Sequence, residues 1–201
     1  MSSRDLRSVS APVGVEPLDP DEALEQDSWV GVEIRAGVFT GARLDRFRIS
    51  NSVLIGCELS GANLAEADLW RVELRDCRMS GVILEAARLR DVRITGCKLD
   101  TASLRGSKAE RIELDDCVLR EADLSAATWK DAAILDCDLT GAVFTSARLA
   151  GTRLHRSTLD RVVGADSLRG VVIDPAQALS LGLQLLDALS IVTDHHEDED
   201  T

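Results

Sequence analysis

The chain has 201 residues, enough for one domain with tails, and carries a formal net charge of −12. Tyr is absent and there are only three Trp and three Phe, which excludes an aromatic-rich globular core and leaves Leu, Ala and Val to fill a narrow one. No apolar segment follows Met1, Ser2, Ser3, Arg4 and Asp5, and no run approaches the roughly 18 apolar residues of a membrane span, so a cytoplasmic protein of bacterial type is expected.

Residues 1–26 read as an acidic N-terminal tail that ends in a short capping helix. Pro12, Pro17 and Pro20 punctuate it, and about the first fifteen residues are expected to be disordered. Asp19 is the predicted N-cap of the helix, with Pro20 at its first position and Asp21 and Glu22 in its first turn. An array of repeats needs a cover over its open end, and Trp29 is expected beneath this one.

Residues 27–161 carry a pattern of period five. A large apolar residue recurs at every fifth position from Trp29 to Leu159, in 26 of 27 places, and the residue two before each of these centres is mostly small or β-branched. Five is the period of neither a helix nor an alternating strand. A short extended piece that points two alternate residues inward and is followed by a turn accounts for it. Cys57, Cys77, Cys97, Cys117 and Cys137 stand twenty apart, so four such corners close one coil and the repeat is a solenoid. An odd number of cysteines with no CxxC pair argues against disulfides and zinc, and makes these thiols small core fillers. The single weak centre is Ala109, expected to make room for the ring of Trp129 in the next coil rather than to form a pocket.

Ala62-Asn63-Leu64-Ala65-Glu66, Ala67-Asp68-Leu69-Trp70-Arg71 and Ala122-Asp123-Leu124-Ser125-Ala126 resemble the A(D/N)LXX motif of the pentapeptide repeat family. The resemblance implies an all-β solenoid, a right-handed quadrilateral β-helix of about seven coils with a C-terminal capping helix. It also implies two functional possibilities, because the family includes rods that look like B-form DNA and inhibit or protect DNA gyrase.

After Arg161 the register fails, with Gly164 where a centre should stand. Residues 162–193 read as a C-terminal cap and dimerisation helix that starts at Asp174 and Pro175 and runs to about Leu189. Its apolar surface is broader than a cap needs. Leu179, Leu183 and Leu186 are the candidate dimer interface, in keeping with the dimer that the resemblance to gyrase-directed members implies. Residues 194–201, with His195 and His196, read as an acidic disordered tail.

The charge is unevenly placed. Residues 28–161 hold 20 basic and 20 acidic side chains, residues 1–27 two basic and seven acidic, and residues 162–201 one basic and eight acidic. Within the coil, the side that contains Trp129 is basic. There Arg48, Trp70, Arg71, Arg88, Arg90, Arg111 and Lys130 form a candidate interaction surface, although Arg71, Asp91, Arg111 and Asp131 are expected to neutralise one another as a ladder. A neutral rod is a poor imitation of DNA.

No catalytic, cofactor-binding or metal-ligating set emerges. His155 is the sole histidine of the repeats, and no Gly-rich phosphate loop, HExxH or GxSxG occurs. The expected function is that of a non-catalytic rod-like protein-protein interaction module that forms a homodimer through the C-terminal helix. The alternatives are a DNA-mimic modulator of DNA gyrase or topoisomerase, giving quinolone or toxin protection, and a passive structural protein. Nucleic acid and membrane are not expected partners.

Overall fold

Each pentad turns one corner, and the backbone does so in the same way every time. The residue two places after each centre, from Gly31 to Arg161, has a positive φ of 49° to 85°. Nine of these 27 residues are glycine; the rest adopt a left-handed conformation that L residues ordinarily avoid by about 1–2 kcal/mol. Hydrogen bonds between successive coils hold them there, as when the amides of Glu66 and Ala126 donate to the carbonyls of Glu85 and Thr145 at 2.7 and 2.9 Å.

A computed structural model of the chain describes residues 9–191. In chain order the elements are β1 (Glu16–Pro17), α1 (Pro20–Ala23), β2 (Ser28–Val30), β3 (Val32–Arg35), β4 (Arg48–Ile55), β5 (Asp68–Arg75), β6 (Arg88–Thr95), β7 (Lys108–Asp115), β8 (Thr128–Leu135) and α2 (Ala178–Ala188). The strands make one parallel sheet in which the residues of β4 to β7, apart from the corner residues Asn51, Arg71, Asp91 and Arg111, pair with those twenty places on in the next strand. Each of these strands bends at a corner and so serves two sides of the coil. The other two sides are held by single bridges at the same offset, such as Glu58 to Arg78 and Asn63 to Ile83. The molecule is therefore a four-sided parallel β-solenoid, with six complete turns and part of a seventh.

Centres and the residues two before them fill the shaft. All five cysteines are buried and free. The Cys77 thiol donates to the carbonyls of Leu54 and Arg75, with its Sγ 3.6 and 3.3 Å away, while the Cys77 amide donates to the Sγ of Cys97 at 3.3 Å. Ser157 continues the file one coil below Cys137, its hydroxyl taking the Cys137 amide at 3.1 Å. The hydrogen bond to Cys77 and burial push the Cys57 thiol far up. Cys77 is pushed up to about 12, its bond with Cys57 pulling down and its bond with Cys97 and its burial pulling up.

Trp129 pairs in register with Ala109 and is buried. Its indole Nε1 donates to the hydroxyl of Ser107 at 3.0 Å. The small centre thus makes space for the ring, and a serine in the neighbouring file satisfies the one polar atom that the ring carries inward.

The two ends are closed differently. At the top, the Asp19 carboxylate accepts from the amide of Asp21 at 2.9 Å and starts α1. The buried indole of Trp29 donates to the carbonyl of Ala23 at 2.9 Å and packs against Phe39 and Phe47. At the bottom the ladder continues past Arg161, through Val163 and Val172. Gly164 has φ 76°, and a Cβ there would lie 2.7 Å from the amide nitrogen of Thr145, so no other residue fits. Gln177, the N-cap of α2, then covers the last coil together with Leu181 and Gln184 of the helix. The Gln177 amide donates to the carbonyls of Leu154 and Ser157; Gln184 donates to the carbonyl of Leu159 and accepts from the amide of Val162. Two glutamines thereby take up backbone groups that the missing next coil would have paired.

Residues 9–15 differ from the expectation of disorder. Val9 is buried, and the side-chain amide of Asn51 both accepts from the Val13 amide at 3.1 Å and donates to its carbonyl at 2.7 Å. The segment climbs the corner file of Asn51, Arg71 and Asp91 and joins the sheet at β1 beside β3. The tail expected over residues 194–201 lies outside the described residues. None of the helices described is long and apolar enough to cross a membrane.

Candidate interaction groove

The side of the solenoid formed by the first halves of β4 to β8 presents two files of outward side chains. One file reads Arg48, Asp68, Arg88, Lys108 and Thr128; the other reads Ser50, Trp70, Arg90, Glu110 and Lys130. Apart from Ser50, which is buried, the files face solvent because strand residues alternate and the intervening centres point into the shaft. Between them runs a groove of about 710 Å³ whose floor includes Leu89 and Ala109. Ala109 borders the groove from below while its methyl points into the shaft beside Trp129.

Electrostatically this side is unlike the others. Eleven ion pairs decorate the described residues, many of them between successive coils, as for Arg93 with Glu113 at 3.1 Å and Arg156 with Asp136 at 2.6 Å. Among the described residues, Arg48, Arg88, Lys108 and Lys130 have no carboxylate within 4.0 Å, and Arg90 reaches Glu110 only at 3.9 Å. Asp68 and Glu110 are the acids of the groove, and Glu110 is shared with Arg111 at 2.6 Å. Trp70, 44% exposed, stands among these cations with the Arg71 guanidinium 4.8 Å from its ring centroid.

Of the seven residues singled out in the sequence, Arg48, Trp70, Arg88, Arg90 and Lys130 line this groove. Arg71 and Arg111 do not; they belong to the adjoining corner. The expected four-member ladder there is reduced to one pair. Arg111 grips both carboxylate oxygens of Asp91 at 2.7 and 2.9 Å, while neither Arg71 nor Asp131 forms an ion pair among the described residues. The Arg111 bond holds the Asp91 carboxyl below its usual range, helped by the backbone of Ser10. Residues 9–13 pass over this corner, which is why the Asp91 carboxylate is buried. Asn51, which anchors that segment, was not legible as functional because nothing in a polar corner residue marks a partner 38 positions away.

Leu179, Leu183 and Leu186 lie on α2. Leu179 and Leu183 are exposed, and Leu186 is half-buried; Leu181, on the opposite face, is the one that enters the core. Among the described residues no group of His, Cys, Asp and Glu is arranged to hold a metal ion.

The family model described as a pentapeptide repeat region matches residues 32–104, and that of eight-copy pentapeptide repeats matches residues 97–128 and 130–162. The chain belongs to the pentapeptide repeat family. No curated protein matches it. Among solved structures, this pentapeptide repeat protein is similar to trypsin-treated QnrB1, a plasmid-mediated fluoroquinolone resistance protein, at 20% identity and a TM-score of 0.45, over 90% of this chain and 100% of that one. HetL, involved in heterocyst differentiation regulation in the cyanobacterium Nostoc sp. strain PCC 7120, gives 19% and 0.30 over 72% and 84%. A pentapeptide repeat protein of the Arabidopsis thaliana thylakoid lumen gives 25% and 0.33 over 51% and 64%.

Proposed function

We propose that this pentapeptide repeat protein is a non-catalytic interaction module that docks an acidic segment of a protein partner in the Trp70 groove. The observation that carries the reading is the concentration around one exposed tryptophan of cations that have no carboxylate partner among the described residues. Desolvated Trp and Arg are the side chains that most often dominate an interface. DNA mimicry asks for negative charge along the rod, and residues 28–161 are balanced at 20 basic against 20 acidic.

The test compares the parent with the double variant Trp70→Ala, Arg90→Glu. A specific partner recovered with the parent is lost from the variant, whereas equal recovery contradicts the groove as the docking face. A gyrase supercoiling assay with the purified protein is expected to show no effect, and inhibition at stoichiometric protein would favour the DNA-mimic reading instead.

A second copy of the chain is proposed on the exposed face of α2, because Leu179 and Leu183 leave an apolar stripe that the cap does not use. A two-fold pairing of that stripe would align two rods end to end.

A further inference from the structure

We infer that the segment docked in the Trp70 groove is phosphorylated on Ser or Thr, and that its phosphate sits where Arg88 and Lys108 lie side by side. The inference rests on the reading of the groove as a site for an acidic segment, and names the chemistry of that segment.

Cations avoid one another on this rod. Among the described residues that strands and bridges hold in register across coils, two cations meet only twice. At one of these places, Arg78 beside Lys98, Arg78 reaches Glu58 at 3.8 Å. At the other, Arg88 beside Lys108, neither side chain has a carboxylate within 4.0 Å among the described residues. Like charges on neighbouring strands, about 4.8 Å apart, repel each other, so this pair lowers stability until an anion bridges it.

A third donor stands opposite. Arg90 is two residues on from Arg88 in β6 and belongs to the other file, about 6.6–6.8 Å away along the backbone. Its hold on Glu110 is loose, at 3.9 Å, whereas Arg111 takes Glu110 at 2.6 Å. Between the files the backbone carries only the inward centres Leu89 and Ala109, which leaves the space above them open. A phosphomonoester at pH 7 brings a charge of about −1.5 to −2 and three acceptor oxygens. It can therefore neutralise Arg88 and Lys108 together and still offer an oxygen to Arg90, while a carboxylate neutralises only one of the pair. The fork of N–H groups on each Arg also matches phosphate geometry. Of the nearby acids, Glu66 faces Arg46 at 3.4 Å. Asp68, in register with Arg88 one coil above, repels a phosphate from that rung and confines it to the next.

Affinity is measured by fluorescence anisotropy, with the full chain and a labelled Glu-containing peptide that has phosphoserine, Glu or Ser at one central position. The phosphoserine form is expected to bind at least about tenfold more tightly than the Glu form, and the Ser form more weakly still. In the variant Arg88→Gln, Lys108→Gln that advantage should fall below about twofold, while the melting temperature is no lower than the parent's because a repulsion has been removed. Asp68→Asn should tighten the phosphoserine form by about twofold or more, a gain that misfolding cannot produce. Equal binding of the phosphoserine and Glu forms overturns the phosphate site and leaves the acidic-segment reading standing; no binding of either form removes both. An undiminished advantage in the double variant overturns the placement at Arg88 and Lys108. A single-stranded oligothymidylate that displaces the phosphoserine peptide and binds more tightly than it does would overturn the inference in favour of nucleic acid.

Discussion

Ser107 and Asp91 show how single polar side chains are made safe inside this solenoid. Ser107→Ala would remove the acceptor of the buried Trp129 indole without removing the donor. The expected cost is about 1–3 kcal/mol, read as a lower denaturant midpoint with an unchanged slope. Asp91 adds a pH dependence of defined sign. Its folded pKa is lowered, first by the hydrogen bond from Arg111, so it lies below the value of about 3.9 in the unfolded chain. Between the two values the unfolded chain binds more protons. The stabilisation is therefore complete above about pH 4 to 5 and is lost as the pH falls through the folded value. In thermal melts at pH 7 and pH 3, Asp91→Asn should lower the melting temperature more at pH 7 than at pH 3; an equal drop at both would mean that the carboxylate charge is not what matters there.

At the scale of elements, α2 separates two roles that a count of leucines runs together. Leu181 is 6% exposed against the last coil and Leu183 is 59% exposed on the far side. Leu181→Ala should cost about 2–4 kcal/mol through the cavity it leaves. Leu183→Glu should leave the stability of the monomer within about 0.5 kcal/mol and abolish any dimer seen by analytical ultracentrifugation. A wild-type chain that sediments as a monomer would refute the dimer without touching the cap. Sequence periodicity located this helix but not its faces, because the side that docks is chosen by Gln177 and Gln184 pairing with the orphaned backbone of the final coil. The segment over residues 9–15 was misread for a similar reason. Its order comes from Asn51 and from burial of Val9, contacts made far along the chain, whereas composition reports only local preference.

For the whole molecule, a repeat of five inside a repeat of twenty carries nearly all of the architecture. The cysteine file, the Ala109 and Trp129 match and the four-sided shaft could be read because each inward residue lies above an equivalent one. What could not be read is whether outward charges find partners. Simple counts placed Arg111 and Arg88 on one basic side; in three dimensions Arg111 is consumed by Asp91 and Glu110, while Arg88 borders a groove with no carboxylate within 4.0 Å among the described residues. That difference is the basis of the proposed function. The most direct measurement is a Trp70 fluorescence titration of the full chain with a Glu-rich synthetic peptide and with a Lys-rich one, at low and at high salt. The acidic peptide should bind saturably, lose at least about tenfold in affinity by 0.5 M NaCl, and fail to bind an Arg88→Glu, Lys130→Glu variant; no binding of the acidic peptide, or equal binding by that variant, would contradict the groove as the functional face.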